Sequence, residues 1–278
     1  MNNANNLSVF GKLSLGAGFA FLYLPIVVLV VYSFNASKLV TVWAGFSTHW
    51  YGELFRDEAV LSSLWLSLKI AFLASTMSVV LGTIAGLVLA RFGPFRGKSL
   101  FAGMITAPMV MPEVITGLSM LLLFVQMQQW FGHPAERGVL TIWVGHVTLC
   151  MAYVTVVIRA RLVEMDRSVE EAAMDLGARP LKIFFLITLP IIAPAIASGF
   201  LLAFTLSLDD LVITAFLSGP GSTTLPQLIF SRVRLGLNPE INALATITVL
   251  AVAVLVVSAN RIMVRAERRR ARLAAAAA

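Results

Sequence analysis

Residues 170–190, EEAAMDLGARPLKIFFLITLP, form a polar island that re-enters apolar sequence at its end. The island closes a longer connection, residues 159–185, with the pattern of a short amphipathic helix. Met165, Val169, Ala172 or Ala173, and Leu176 recur at three- and four-residue steps and make an apolar stripe. The opposite face carries Glu164, Arg167, Glu171 and Asp175. A helix lying on lipid turns Lys and Arg toward anionic headgroups. This polar face is mainly acidic, so a protein partner fits it better than a membrane surface. Gly177 supplies the backbone freedom for a turn at the helix end, and the residue before Pro180 is steered out of helical geometry.

Working outward, the chain around this island is too apolar for an ordinary soluble domain: 59% of its 278 residues are hydrophobic, 13% are charged, and its mean hydropathy is +0.88. A span needs roughly 20 apolar residues to cross about 30 Å of hydrocarbon. Six runs meet that length, at about residues 13–34, 62–90, 100–125, 140–158, 186–206 and 241–264. The first is longer than a signal-peptide core and reads as a retained span with Pro25 inside it. The second contains Gly82 and Gly86, a spacing that bares one helix face for close packing. Between the first two runs, Trp43, Trp50 and Tyr51 are residue types that settle at a membrane interface.

Several functions are excluded by pattern. The net charge of +7 comes from Lys and Arg in short loops, without the continuous basic face and stacking aromatics of a nucleic-acid binder. The stretch RGKS at 96–99 ends like a phosphate-binding loop, but the required first glycine falls at Phe92 and no strand precedes it. Cys150 is the only cysteine and lies in an apolar run, which rules out an intrachain disulfide or a CxxC motif and leaves a small buried hydrophobe. His49, His133 and His146 are too scattered for a metal site. Met104, Met109 and Met111 read as packing residues.

Cytoplasmic loops retain cations, so Lys and Arg decide orientation. With the N-terminus inside, the inner segments hold fifteen and the outer ones five, while Lys69 falls within the second run. Both termini and the 159–185 loop are therefore expected in the cytoplasm.

The island matches a longer pattern, E-A-A, three residues, G, nine residues, I-x-L-P, through Glu171, Ala172, Ala173, Gly177, Ile187, Leu189 and Pro190. In this it resembles the EAA loop of inner-membrane permease subunits of binding-protein-dependent ABC importers. The likeness extends over about residues 62–264. The segments SFNASKLVTVWAGFSTHWY, MITAPMVMPEVITG and FTLSLDDLVI are similar to the second permease subunit of putrescine and spermidine importers. The resemblance implies an all-α polytopic fold with six transmembrane helices and cytoplasmic termini, of the type I ABC importer permease (MetI-like) kind. It implies three regions: residues 1–61, a peripheral first span and outer loop; 62–264, the permease domain; and 265–278, a basic and alanine-rich tail.

The same resemblance makes the island a coupling helix that docks on a cytoplasmic ATPase, with Glu171, Ala172, Ala173, Asp175, Leu176, Gly177, Leu189 and Pro190 as its coupling residues. Glu171 would make a charged contact and Gly177 would preserve the turn. The implied partners are a homologous second permease, two ATP-binding subunits and a periplasmic polyamine-binding protein, all assembled in the lipid bilayer of the inner membrane. The chain itself would be non-catalytic and hold no cofactor, with ATP and Mg bound by the partner.

Ionisable residues inside spans are functional candidates. Glu113 lies thirteen residues into the third run, behind Pro108 and Pro112. It is expected either to draw a cationic substrate through the path or to pair with Lys69. Asp209 and Asp210 fall at the outer end of the fifth run, where a dication would arrive. Residues 218–226, SGPGSTTLP, carry the turn chemistry of an external loop, with Leu225 to Leu235 able to make a short helix after it. The residues leave open an importer of another small solute, and an ion-coupled carrier using Glu113, Lys69, Asp209 and Asp210.

Overall fold

Apolar runs this long satisfy their backbone polar groups only as helices within hydrocarbon, and helices are what they form. The structure, a computed structural model, describes residues 8–38, 42–235 and 239–277. The side chains of 265–277, with most of the arginines of the tail, lie outside that description. Among the described residues twelve helices follow in order: α1 (Val9–Tyr32), α2 (His49–Leu54), α3 (Glu58–Arg91), α4 (Lys98–Val110), α5 (Glu113–Phe131), α6 (Val139–Glu164), α7 (Ser168–Asp175), α8 (Pro180–Ile183), α9 (Leu189–Asp209), α10 (Val212–Leu217), α11 (Leu225–Leu235) and α12 (Pro239–Ala277). A π-helical turn, Phe184–Thr188, joins α8 to α9. Among the described residues there is no strand, only an isolated bridge between Asn35 and Phe46.

Among the described residues five helical segments are long and apolar enough to span: α1, α3, α5, α6 and the α8–α9 unit; the apolar part of α12, Pro239–Val254, is shorter. The third run differs most from the sequence expectation. It is two helices, α4 and α5, separated at Met111 and Pro112. The cause is local: Pro112 cannot donate a helical N–H, and Met111 before it takes an extended ψ of 141°. Glu113 therefore opens a helix instead of lying in the middle of one.

The chain divides into two compact units. In the unit made of residues 1–58 and 229–278, Asn35 organises the connection after α1. Its side chain donates to Val42 O at 2.7 Å and accepts from Ala44 N at 2.9 Å, while its carbonyl takes the Trp50 indole N–H at 2.7 Å. Trp50 is thus buried as a core residue, whereas Trp43 stays half exposed. Trp50, expected with Trp43 at an interface, is claimed by its hydrogen bond.

In the unit made of residues 59–228, α6 is the central post. Cys150, Val154, Ile158 and Leu162 bury one face of it with Ala90, Ile192 and Ala203. Gly82 and Gly86 let α3 lie against it: a Cβ at Gly82 would sit 2.7 Å from Val154 Cγ1, and one at Gly86 3.1 Å from Ile158 Cγ2. The short helix α10 is wedged beside it, where a Cβ at Gly145 of α6 would meet Leu217 at 2.5 Å and one at Gly117 of α5 would meet Phe216 at 2.7 Å.

Candidate functional site

Two places in the larger unit collect the chemistry, and α9 runs from one to the other. The first is α7. Asp166 turns the chain into it by accepting the Ser168 N–H at 3.0 Å, a bond that holds its carboxyl below the ordinary carboxylate range. The helix ends at Gly177, whose φ of +79° is left-handed. Gly177 N donates to Met174 O at 2.8 Å and Ala178 N to Ala173 O at 3.0 Å, the paired bonds of a Schellman turn.

No residue of α7 is buried. Of the expected stripe, Val169 and Leu176 are exposed, Leu176 to 90%, and Met174 is half exposed beside them. Met165 departs from it, lying buried at the end of α6. Ala172, Asp175 and Glu171 are exposed and Ala173 is half-buried, so the matched motif is presented outward. Leu189 and Pro190 open α9.

What fixes α7 is its neighbour in sequence, Glu170. Its carboxylate meets Arg91 Nε at 2.8 Å and accepts the Thr188 hydroxyl at 2.6 Å. Arg167 adds a bond from its guanidinium to Ala90 O at 2.7 Å. The helix is thereby tied to the end of α3 and to the start of α9. An open cavity of about 880 Å³ lies alongside, lined by Thr83, Leu87, Arg91, Glu170, Phe184 and Thr188 among others.

The second place is the pair of chain breaks at Pro112 and Asp210. Glu113 sits in the first turn of α5, where the helix dipole favours a carboxylate. It is exposed, and it lies within electrostatic reach of Asp209 and Asp210. Among the described residues it forms no ion pair with Lys69, which is itself exposed beside Trp65 and Phe72. Discontinuous helices meeting in this way are where membrane transporters build binding sites.

Asp209 and Asp210 part company here. Asp209 is exposed. Asp210 leaves only 3% of its side chain accessible and caps α10, accepting Thr214 N at 2.8 Å, Ile213 N at 3.3 Å and the Thr214 hydroxyl at 2.9 Å. His146 Nε2, from α6, stands 3.1 Å from the same carboxylate and 3.0 Å from Thr214 Oγ1, and its Nδ1 lies 2.7 Å from Ser207 Oγ. The other end of α10 is held by Thr141, whose hydroxyl donates to Leu217 O at 2.7 Å, and by Arg137, which donates to Phe216 O at 3.2 Å.

Sequence reasoning passed over Glu170, Arg91, Ser207 and His146. His146 carried a usable signal, being ionisable within an apolar run by the rule that singled out Glu113. Among the described residues no group of His, Cys, Asp or Glu is placed to hold a metal.

The fold these helices define is the MetI-like fold of ABC importer permeases. A chain of a bacterial ABC transporter involved in the import of the acidic polysaccharide alginate superposes with a TM-score of 0.67 at 15% identity, covering 92% of this chain and 94% of that one. A chain of the MetNI methionine ABC transporter gives 0.58 at 18% identity over 74% and 95%. The chain belongs to the binding-protein-dependent transport system inner membrane component family, which matches residues 78–272. It is 66% identical to the putrescine transport system permease protein PotI of Escherichia coli (strain K12), over 92% of this chain and 91% of that protein. It is 41% identical to the spermidine/putrescine transport system permease protein PotC of Haemophilus influenzae over 86% and 91%.

Proposed function

We propose that the chain is one of two permease subunits of an ATP-driven polyamine importer of the putrescine type, contributing half of the translocation path and hydrolysing no ATP itself. The observation that carries this reading is the 66% identity to a putrescine permease along 92% of the chain. The chemistry of the breaks supports it: Glu113 and Asp209 are two exposed carboxylates with no ion-pair partner among the described residues. Two negative groups at discontinuous helices suit a substrate with two ammonium groups. In this reading α12 supplies a sixth span, both termini are cytoplasmic, and a homologous permease, two ATPase subunits and a periplasmic polyamine receptor complete the assembly.

The mechanism follows from connectivity. ATP-driven closure of the ATPase pair displaces α7, gripped through its exposed stripe and Glu171. The Glu170 bonds to Arg91 and Thr188 pass that displacement to α3 and α9. α9 is 21 residues long, about 30 Å at 1.5 Å per residue, and it ends at Asp209. Tilting it moves the acidic site relative to α5 and alternates its access. Glu171, Ala172, Ala173, Asp175 and Leu176 form the docking face, Gly177 the turn, and Leu189 and Pro190 the root of the moving helix.

Reconstitution with receptor, second permease and ATPase tests this. Putrescine uptake and receptor-stimulated ATP hydrolysis should both appear, and Glu171→Lys should abolish both while the subunit remains in the membrane. Uptake that persists without any ATPase would sink the importer reading. Glu113→Gln and Asp209→Asn should each raise the KM for putrescine; unchanged values in both would return these carboxylates to structural roles.

A further inference from the structure

We infer that His146 is a positioning residue for the substrate path: it commits Asp210 to the break between α9 and α10, so that Asp209 alone of the two is turned toward substrate. The inference rests on the reading of Glu113 and Asp209 as path carboxylates.

Hydrogen accounting supports it. The Thr214 hydroxyl gives its proton to Asp210 Oδ2, so at 3.0 Å from Thr214 Oγ1 and 3.1 Å from Asp210 Oδ2 the donor must be His146 Nε2. Nδ1 is then free to accept from the Ser207 hydroxyl at 2.7 Å in the neutral ring, or to donate to it in the imidazolium. Either way one ring, 1% exposed, bridges three elements. It stands on α6, holds Ser207 before the break on α9, and holds Asp210 and Thr214 at and after it. Asp209 and Asp210 are joined by one rigid peptide unit. Fixing the second carboxylate inward therefore limits where the first can point. With Asp210 occupied by three donors besides the ring, the path keeps two open carboxylates, equal in number to the ammonium groups of a diamine.

The test is putrescine uptake by the complete complex in proteoliposomes, with receptor-stimulated ATP hydrolysis measured on the same samples. His146→Ala should raise KM about tenfold, the size of one lost charge-assisted hydrogen bond, with ATP hydrolysis per complex within about twofold of the parent. His146→Gln, whose amide can both donate to Asp210 and accept from Ser207, should restore most of the affinity. An unchanged KM in His146→Ala overturns the inference, as does loss of ATP hydrolysis that His146→Gln fails to rescue. If His146→Ala does not accumulate in membranes, Ser207→Ala removes only the Nδ1 partner and should still raise KM; no change there overturns it equally. Asp209→Asn run in parallel separates the two readings. A raised KM in Asp209→Asn beside an unchanged KM in His146→Ala removes only the role of His146, whereas an unchanged KM in Asp209→Asn removes the path reading beneath it.

Discussion

Glu170 and Glu171 in the loop helix, and Asp209 and Asp210 at the α9 break, are both pairs of adjacent acids, and in each pair the two members have opposite fates. Glu170 is taken up by Arg91 and Thr188, and Glu171 is left facing out. Asp210 is taken up by His146 and the start of α10, and Asp209 is left exposed. The pairs differ in how deeply the inner acid is committed. Glu170 keeps 14% of its side chain accessible and shares it with a cation; Asp210 keeps 3% and answers to four donors. In the proposed function the loop is therefore the joint that yields, and the break is the fixed corner from which one carboxylate is presented.

Asp210→Ala gives the widest separation between the two places. It leaves the ring of His146, the Thr214 hydroxyl and two backbone N–H groups without their acceptor in a closed interior, which costs about 3–5 kcal/mol. The subunit should fall sharply in abundance in membranes and unfold at lower temperature in detergent, whereas Asp209→Ala should leave both unchanged and act on uptake alone. Equal stability of the two variants would erase the distinction between inner and outer acid.

Glu170→Ala comes next. Its partners sit at a partly wet boundary, with Arg91 13% exposed, so the loss is about 1–3 kcal/mol. Thermal unfolding in detergent should register it. Glu171→Ala should lie within about 0.5 kcal/mol of the parent and still uncouple ATP hydrolysis from uptake. A larger stability loss for Glu171 than for Glu170 would reverse their assignments.

The two places were unequally legible in sequence for a physical reason. The features behind the loop's proposed role are local: a stripe at helical spacing, a glycine where the chain must turn left-handed, and a proline that starts the next helix all lie within 21 residues. Hydropathy also marked the five segments that, among the described residues, are long and apolar enough to span, and Gly82 and Gly86 marked close helix packing. The break at Pro112 was written in the sequence too, but a hydropathy window runs smoothly through it, because Met111 and Pro112 cost little in apolar character. What could not be read was partnership across distance. His146 lies 64 residues from Asp210, and Arg91 sits far earlier in the chain than Glu170. No spacing rule connects either pair; only the packing of α6 against α9 and α10, and of α3 beside α7, brings them together.

A last expected effect lies at the end of α7. Gly177 holds φ at +79° with nothing within 4 Å of where a Cβ would be, so Gly177→Ala meets no neighbour and suffers only the left-handed penalty, about 1–2 kcal/mol. The turn has two ways to respond. If the Schellman bonds from Gly177 N and Ala178 N hold, the strain stays in place and unfolding shifts by that amount with coupling intact. If α7 instead relaxes its last turn, Leu176 and Asp175 move off the proposed docking face, and ATP hydrolysis falls out of step with uptake while the melting temperature barely changes. Because the Glu170 bonds anchor the helix further back, the second outcome is expected, and Gly177→Asn, which tolerates the left-handed region better, should recover most of the coupling. A variant with Ala at this position that transports normally would mean that the joint is set by Glu170 alone and that the turn after it is incidental.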